Sequence, residues 1–98
     1  MKTITLEVAK IGKEDLPYEA LIRQCVNATQ PNQPISLDEQ RRRLRILDAL
    51  DALDEADNLV LEDEDAKHLA KLVETMPWAF VNKAFVTFSD DVIKECRG

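Results

Sequence analysis

Apolar residues recur every three or four positions in several segments of this chain, and this spacing constrains the fold more than any other feature. A helix places residues three and four apart on one face, so each segment is expected to be a helix with one buried stripe. The first is predicted to begin at Pro17, whose missing N–H costs nothing in a first turn, and to run to about Ala28. Its apolar stripe consists of Tyr18, Leu21, Ile22, Cys25 and Val26.

A second helix is predicted from a capping signal. Ser36 is followed three residues later by Glu39, which is the pattern of a capping box at a helix start. The helix is expected to continue to about Ala56. Its inner face is predicted to carry Leu44, Ile46, Leu47, Leu50 and Leu53.

Two more helices are predicted in the C-terminal half. Asp63 is the expected N-cap of the third, and Pro77 ends that helix or kinks it into the next. Pro77–Glu95 is predicted to be one long helix, because an apolar row there has a 3-4-3-4 spacing. The row is Trp78, Val81, Phe85, Phe88 and Val92. In the alternative interpretation the stretch AFVTF is a strand, and Ser89 caps a separate short helix.

Two short stretches alternate apolar and polar residues, as half-buried strands do. They are Thr3–Val8 and Asn58–Glu62, and a turn is expected after the first of them, at Gly12. An isolated strand cannot satisfy its backbone groups, so the two are expected to pair. The predicted fold is therefore mainly α, of the α+β class: one domain over residues 1–98, with about four helices and a small two-stranded β-sheet.

The acidic composition limits the partners. The 98 residues carry a net charge of −6 at pH 7, whereas contacts to nucleic acid depend on Lys and Arg neutralising phosphates. The sequence therefore predicts a protein partner and disfavours nucleic acid, and no apolar run is long enough to predict a membrane span. A cytoplasmic location is expected, with Cys25 reduced in the core and Cys96 reduced in a frayed, exposed tail.

The motifs of common catalytic and metal sites are missing from the sequence. The chain has only two glycines, so no phosphate-cradling loop can be drawn, and its single histidine, His68, is too little for zinc. An EF-hand loop that started at Asp54 would put Leu59 where the glycine belongs. We therefore expect no catalytic residue, no metal ligand, no cofactor and no enzymatic activity.

A cluster of arginines lies near the start of the second helix, and Arg41, Arg42 and Arg45 are its candidate binding residues. At helical spacing, Asp38 can pair with Arg41 and Arg42, and Arg45 can pair with Asp48. A solvated helix face with internal ion pairs is the favoured interpretation. The alternative is a basic patch that docks a carboxylate- or phosphate-bearing partner.

The long C-terminal helix has more than one apolar face to bury. Besides the row described above, it carries a second strip formed by Phe80, Val86 and Ile93. A chain of this size has few other helices to cover both, so one strip is predicted to meet a second copy in a two-fold homodimer. The alternative is that the row is ordinary core. The candidate interface residues are Trp78, Val81, Phe85, Val86 and Ile93.

Three stretches in this order, RRRLRILDALDAL, LVLEDEDAKHLAKLVETMPW and AFVTFSDDVI, resemble small accessory proteins of tailed bacteriophages and prophages. The resemblance extends over Leu44–Val92 and includes no catalytic motif. It implies an interaction or assembly role and carries over no site residues.

The leading function predicted from the sequence is a non-enzymatic protein–protein interaction or assembly module. One alternative is an acidic inhibitor whose carboxylates, from Asp48 to Asp65, mimic nucleic-acid phosphates at the basic groove of another protein. The other is a small nucleic-acid-binding regulator that uses Arg41, Arg42 and Arg45.

Overall fold

The computed structural model describes residues 1–29, 33–53, 58–78 and 80–98, and within them the predicted fold class is confirmed. Four helices pack with two small antiparallel sheets of two strands each. In chain order the elements are β1 (Lys2–Ile4), β2 (Val8–Ile11), β3 (Glu14–Pro17), α1 (Tyr18–Asn27), α2 (Leu37–Asp51), β4 (Leu59–Leu61), α3 (Asp63–Glu74) and α4 (Lys83–Arg97). None of these described helices is long and apolar enough to cross a membrane.

The predicted pairing between the first strand and the strand before α3 is confirmed. β1 and β4 pair antiparallel along all of their residues. Their buried side chains are Ile4, Leu59 and Leu61. β1 is shorter than the predicted Thr3–Val8, because β4 offers only three residues to pair. Beyond it, the N–H of Thr5 donates to the carboxylate of Glu95 in α4 at 2.6 Å.

β2 and β3 form a hairpin that the sequence analysis did not predict. The strands pair from Val8 opposite Pro17 to Ile11 opposite Glu14. The predicted turn at Gly12 is confirmed: its φ is 63°, a left-handed conformation that glycine adopts without strain. β3 has the sequence EDLP and no fully buried residue. The hairpin packs on the core through the buried Ala9 and the partly buried Ile11 and Leu16.

The first two helices begin close to where the sequence predicts. α1 buries the whole predicted stripe. α2 is capped by Ser36, whose hydroxyl accepts a hydrogen bond from the N–H of Glu39 at 3.1 Å. It ends at Asp51, short of the predicted Ala56, and residues 54–57 lie outside the described residues.

Leu44 does not lie on the inner face of α2, and that prediction was wrong. The buried residues of α2 are Ile46 and Leu50, whereas Leu44 is 54% exposed. Two positions along a helix correspond to about 200° of rotation, so a side chain two residues before Ile46 lies on the opposite side. Leu47 and Leu53 are partly buried at the edge of the core.

The single helix predicted over Pro77–Glu95 was also wrong. α3 ends at Glu74, the described residues between the two helices are not helical, and α4 begins at Lys83. Asn82 caps α4, because its side-chain oxygen accepts a hydrogen bond from the N–H of Ala84 at 2.8 Å. The alternative strand at AFVTF was wrong as well, since this stretch lies within the first turns of α4.

Both cysteines are buried free thiols. Cys25 lies on the predicted stripe of α1, but the prediction of an exposed Cys96 was wrong. α4 continues to Arg97 and carries Cys96 on the same buried face as Val92. Burial raises the pKa of each thiol to about 12, so very little of the reactive thiolate forms at neutral pH.

We therefore expect the native protein to resist thiol reagents. At neutral pH, Ellman's reagent should react slowly with the folded chain and rapidly with both Cys25 and Cys96 in guanidinium chloride. Colorimetric titration with and without the denaturant measures the difference. Rapid labelling of one thiol without denaturant, located by mass spectrometry, would contradict its burial.

Candidate protein interaction site

Packed aromatic rings extend from the core of the protein to its surface. Phe88 is fully buried and meets Tyr18 and Trp78 edge to face, with ring centroids 5.0 and 6.0 Å away. Trp78 lies flat on Phe85, with centroids 4.2 Å apart and an interplanar angle of 9°. Phe80 packs on Phe85 with centroids 5.1 Å apart. Ring pairs at such distances attract one another beyond their area burial, so the outer rings are held in place by the inner ones.

The exposure of the apolar side chains rises from the inner rings to the outer ones. Phe85 is 7% exposed, Phe80 is 55% exposed, and the neighbouring Val81 is fully exposed. Val86, in the first turns of α4, is 60% exposed. We name the surface formed by Trp78, Phe80 and Val81 over the buried Phe85 the aromatic patch.

The predicted apolar row divides between core and surface. Its inner part, including Phe88, belongs to the core, whereas Val81 precedes α4 and lies in solvent. The second predicted strip is not one continuous helix face. Phe80 also precedes α4, and Ile93 is half-buried against the core, which leaves Val86 as its exposed member.

The patch exists because the chain leaves the helical conformation between α3 and α4. Pro77 lacks a backbone N–H and disfavours a helical residue before it. Asn82 then supplies a side-chain cap for the next helix. Asn is among the preferred N-cap residues, so Asn82 was the sequence signal that could have placed the start of α4.

Tyr18 holds α4 against α1. Its hydroxyl donates to a carboxylate oxygen of Asp91 at 2.7 Å. Burial and the Asp91 carboxylate raise the pKa of Tyr18 above its ordinary value, so the hydroxyl remains a donor at physiological pH. This bond fixes the helix that carries Phe85 and Phe88.

The candidate residues Arg41, Arg42 and Arg45 are all exposed. As predicted, Arg42 pairs with Asp38, at 3.4 Å. The predicted pair between Asp38 and Arg41 is not formed, and Arg41 has no ion-pair partner among the residues that the structure describes. Exposed pairs of this kind contribute at most about 1 kcal/mol, so they fix the surface only weakly.

Arg45 pairs with Asp65 in the first turn of α3, at 3.2 Å. The predicted pair with Asp48 was therefore wrong. Asp65 is only 8% exposed, whereas Asp48 is exposed. A carboxylate removed from water gains more from a nearby cation than a solvated one does, so the contact between helices is preferred to the contact within α2.

Arg43, which was not among the predicted site residues, turns inward. Its guanidinium donates to the carbonyls of Val26 and Ala28 at 3.1 and 2.5 Å, and to the Glu39 carboxylate at 2.8 Å. Glu39 also lies 2.8 Å from Nε2 of His68 in α3. Because the last carbonyls of a helix lack partners within the helix, Arg43 completes the end of α1 and connects it to α2 and α3.

Glu39 stays ionised in this cluster. Burial on its own would raise the pKa of the carboxyl, but hydrogen bonds from Arg43 and His68 lower it below the ordinary value. The carboxylate is therefore committed to two donors of the same chain. Within the described part of the chain, no group of three or more His, Cys, Asp and Glu side chains could hold a metal ion.

The acidic stretch proposed to mimic phosphates is partly neutralised inside the chain. Asp51 pairs with Arg23 at 2.8 Å, and Asp63 pairs with the amino group of Met1 at 3.0 Å. The EF-hand start considered at Asp54 falls outside the described residues. Three carboxylates of this stretch, Asp51, Asp63 and Asp65, are thus held in separate ion pairs.

A comparison of the chain with protein-family models, with curated proteins and with solved structures found no match in any of the three. The functional interpretation is therefore built on the contacts, exposure and charges of the chain's own residues.

Proposed function

We propose that this protein is a non-enzymatic interaction or assembly module that docks a partner protein on the aromatic patch. Phe80 carries the proposal: its ring is half exposed although it packs on Phe85, which is itself stacked on Trp78. A ring already fixed by packing loses little freedom on binding, and aromatic anchors dominate interface energetics. The partner is expected to offer an apolar pocket or groove.

The proposed setting is a phage-related assembly in the cytoplasm. It rests on the resemblance of Leu44–Val92 to small accessory proteins of tailed bacteriophages and prophages, which implies an interaction role. A second copy of the chain is one of the proposed partners.

The acidic inhibitor and the nucleic-acid-binding regulator are ranked below the interaction module, because much of the required charge is used within the chain. Asp51 and Asp65 form ion pairs with arginines. Arg42 and Arg45 are paired with carboxylates. A phosphate or a basic groove would have to compete with these internal partners.

The test of the proposal changes the patch without changing the core. The double variant F80S/V81S removes two exposed apolar side chains, so its circular dichroism spectrum should match that of the wild type. The partner is first captured by the wild type from the native host, identified by mass spectrometry and purified. Its affinity for the variant, measured by calorimetry, is expected to fall at least about tenfold.

Val8→Ser is the matched control, because Val8 is 56% exposed and lies on β2, outside both the aromatic patch and α2. Its affinity for the purified partner should equal that of the wild type. If F80S/V81S binds as tightly as the wild type does, the aromatic patch is not the docking site.

A further inference from the structure

The outer face of α2 carries an apolar stripe that includes two charges. Leu37, Arg41, Leu44 and Asp48 follow one another at spacings of four, three and four residues, which places them on one side of the helix. Leu37 is 62% exposed and Leu44 is 54% exposed. This face lies away from the buried Ile46, and the residues that the structure describes leave Leu37 and Leu44 more than half exposed.

Arg41 and Asp48 differ from every other charged residue of α2. Among the residues that the structure describes, neither has an ion-pair or hydrogen-bond partner. All the other charged side chains of this helix are paired: Asp38 with Arg42, Glu39 with Arg43, Arg45 with Asp65, and Asp51 with Arg23. The unpaired Arg41 lies three residues before Leu44, and the unpaired Asp48, which has the opposite charge, lies four residues after it.

This arrangement is complementary to itself under two-fold symmetry. If a second α2 lies antiparallel on the first, with Leu44 near the symmetry axis, Arg41 comes opposite Asp48 of the second copy, and the same pair forms again on the other side. Leu44 then packs against the Leu44 region of the other chain. In a parallel arrangement, Arg41 would lie beside Arg41 of the second copy and Asp48 beside its Asp48, so like charges would meet.

We infer that a second copy of this chain docks antiparallel on α2, with Leu44 at the centre and two reciprocal Arg41–Asp48 ion pairs beside it. The inference goes beyond the proposed function, because it gives the second copy a surface on α2 that is separate from the aromatic patch. It also places the homodimer on α2, whereas the sequence predicted it on the C-terminal helix.

The test measures the dimer dissociation constant by sedimentation equilibrium for four variants on this face. L44E places two carboxylates near the axis in an apolar contact, and R41E or D48K places like charges opposite each other twice. Each is expected to raise the dissociation constant at least about tenfold. The double variant R41E/D48K reverses both charges, restores both pairs, and should return the constant to within about threefold of the wild type.

Val86→Glu tests the C-terminal helix as the alternative dimer surface, because Val86 is 60% exposed and lies on α4. It should leave the dimer intact, and circular dichroism should show that every variant is folded. A wild type that is monomeric at all concentrations overturns the inference, as does a dimer that V86E dissociates and L44E does not. Failure of R41E/D48K to recover the dimer would reject the reciprocal ion pairs.

These outcomes are separable from those of the proposed function, because the dimer is measured with the purified chain alone. Loss of partner binding in F80S/V81S with an intact dimer assigns the two surfaces to different partners. If the wild type is monomeric and the L44E variant no longer binds a purified foreign partner, the α2 face is the binding surface for that partner. This result would overturn the proposal of a second copy on α2.

Discussion

Phe88→Ala is expected to lower the free energy of unfolding by about 3–5 kcal/mol. Phe88 is fully buried, and its ring meets Tyr18 and Trp78 edge to face. Removing it opens a cavity where α1, α4 and the segment before α4 meet. Domains of this size are stable by only about 5–15 kcal/mol, so the loss is a large part of the total. Urea denaturation followed by circular dichroism measures it.

Val86→Ala is the comparison for this prediction, because Val86 lies two residues away on the exposed side of the same helix. Its unfolding free energy should stay within about 0.5 kcal/mol of the wild type. Similar losses in the two variants would mean that the two faces of α4 are not divided between core and solvent as described.

Arg43→Gln is expected to destabilise the protein by about 2–4 kcal/mol. The change leaves the carbonyls of Val26 and Ala28 without their donor, and it removes the cation beside the half-buried Glu39. A glutamine side chain is shorter than that of arginine and carries no charge, so it cannot replace both contacts. Thermal and urea unfolding measure the loss.

Arg41, Arg42 and Arg45 provide the control, because they belong to the same cluster and are exposed. Replacing all three by Gln should lower the unfolding free energy by about 1–2 kcal/mol, since the Arg42 pair is exposed and only Arg45 leaves a buried carboxylate, Asp65, without its cation. A triple variant less stable than Arg43→Gln would show that the cluster stabilises the fold through its outer members.

The features that were predictable from the sequence are those set by neighbours in the chain. The stripe of α1 and the cap at Ser36 depend on residues three or four positions apart, and both are confirmed. The hairpin was missed because β3, with the sequence EDLP, has a single apolar side chain besides its proline and so shows no apolar–polar alternation. The non-helical segment before α4 was missed because the 3-4-3-4 spacing of the apolar row continues through it, and this spacing hides the N-cap signal of Asn82.

The candidate interaction site was only partly predictable, because periodicity gives the spacing of apolar residues and not what covers them. Trp78 and Phe85 belong to the predicted row and stack on each other, but their stacking requires a non-helical segment between them. Arg43 could not be distinguished from its neighbours, because its carbonyl acceptors belong to another helix.

The bond between the Thr5 N–H and the Glu95 carboxylate joins positions 90 residues apart, and it bears on how the chain folds as it is synthesised. β1 gains its strand partner only after β4 has been synthesised, and its helix contact only after α4 has followed. By contrast, α1 and the β2–β3 hairpin need only nearby residues. Contacts between distant parts of a chain slow folding relative to a purely local helical bundle. We expect β1 to be the last element to become ordered, so its open edge is the part of the nascent chain most exposed to mispairing.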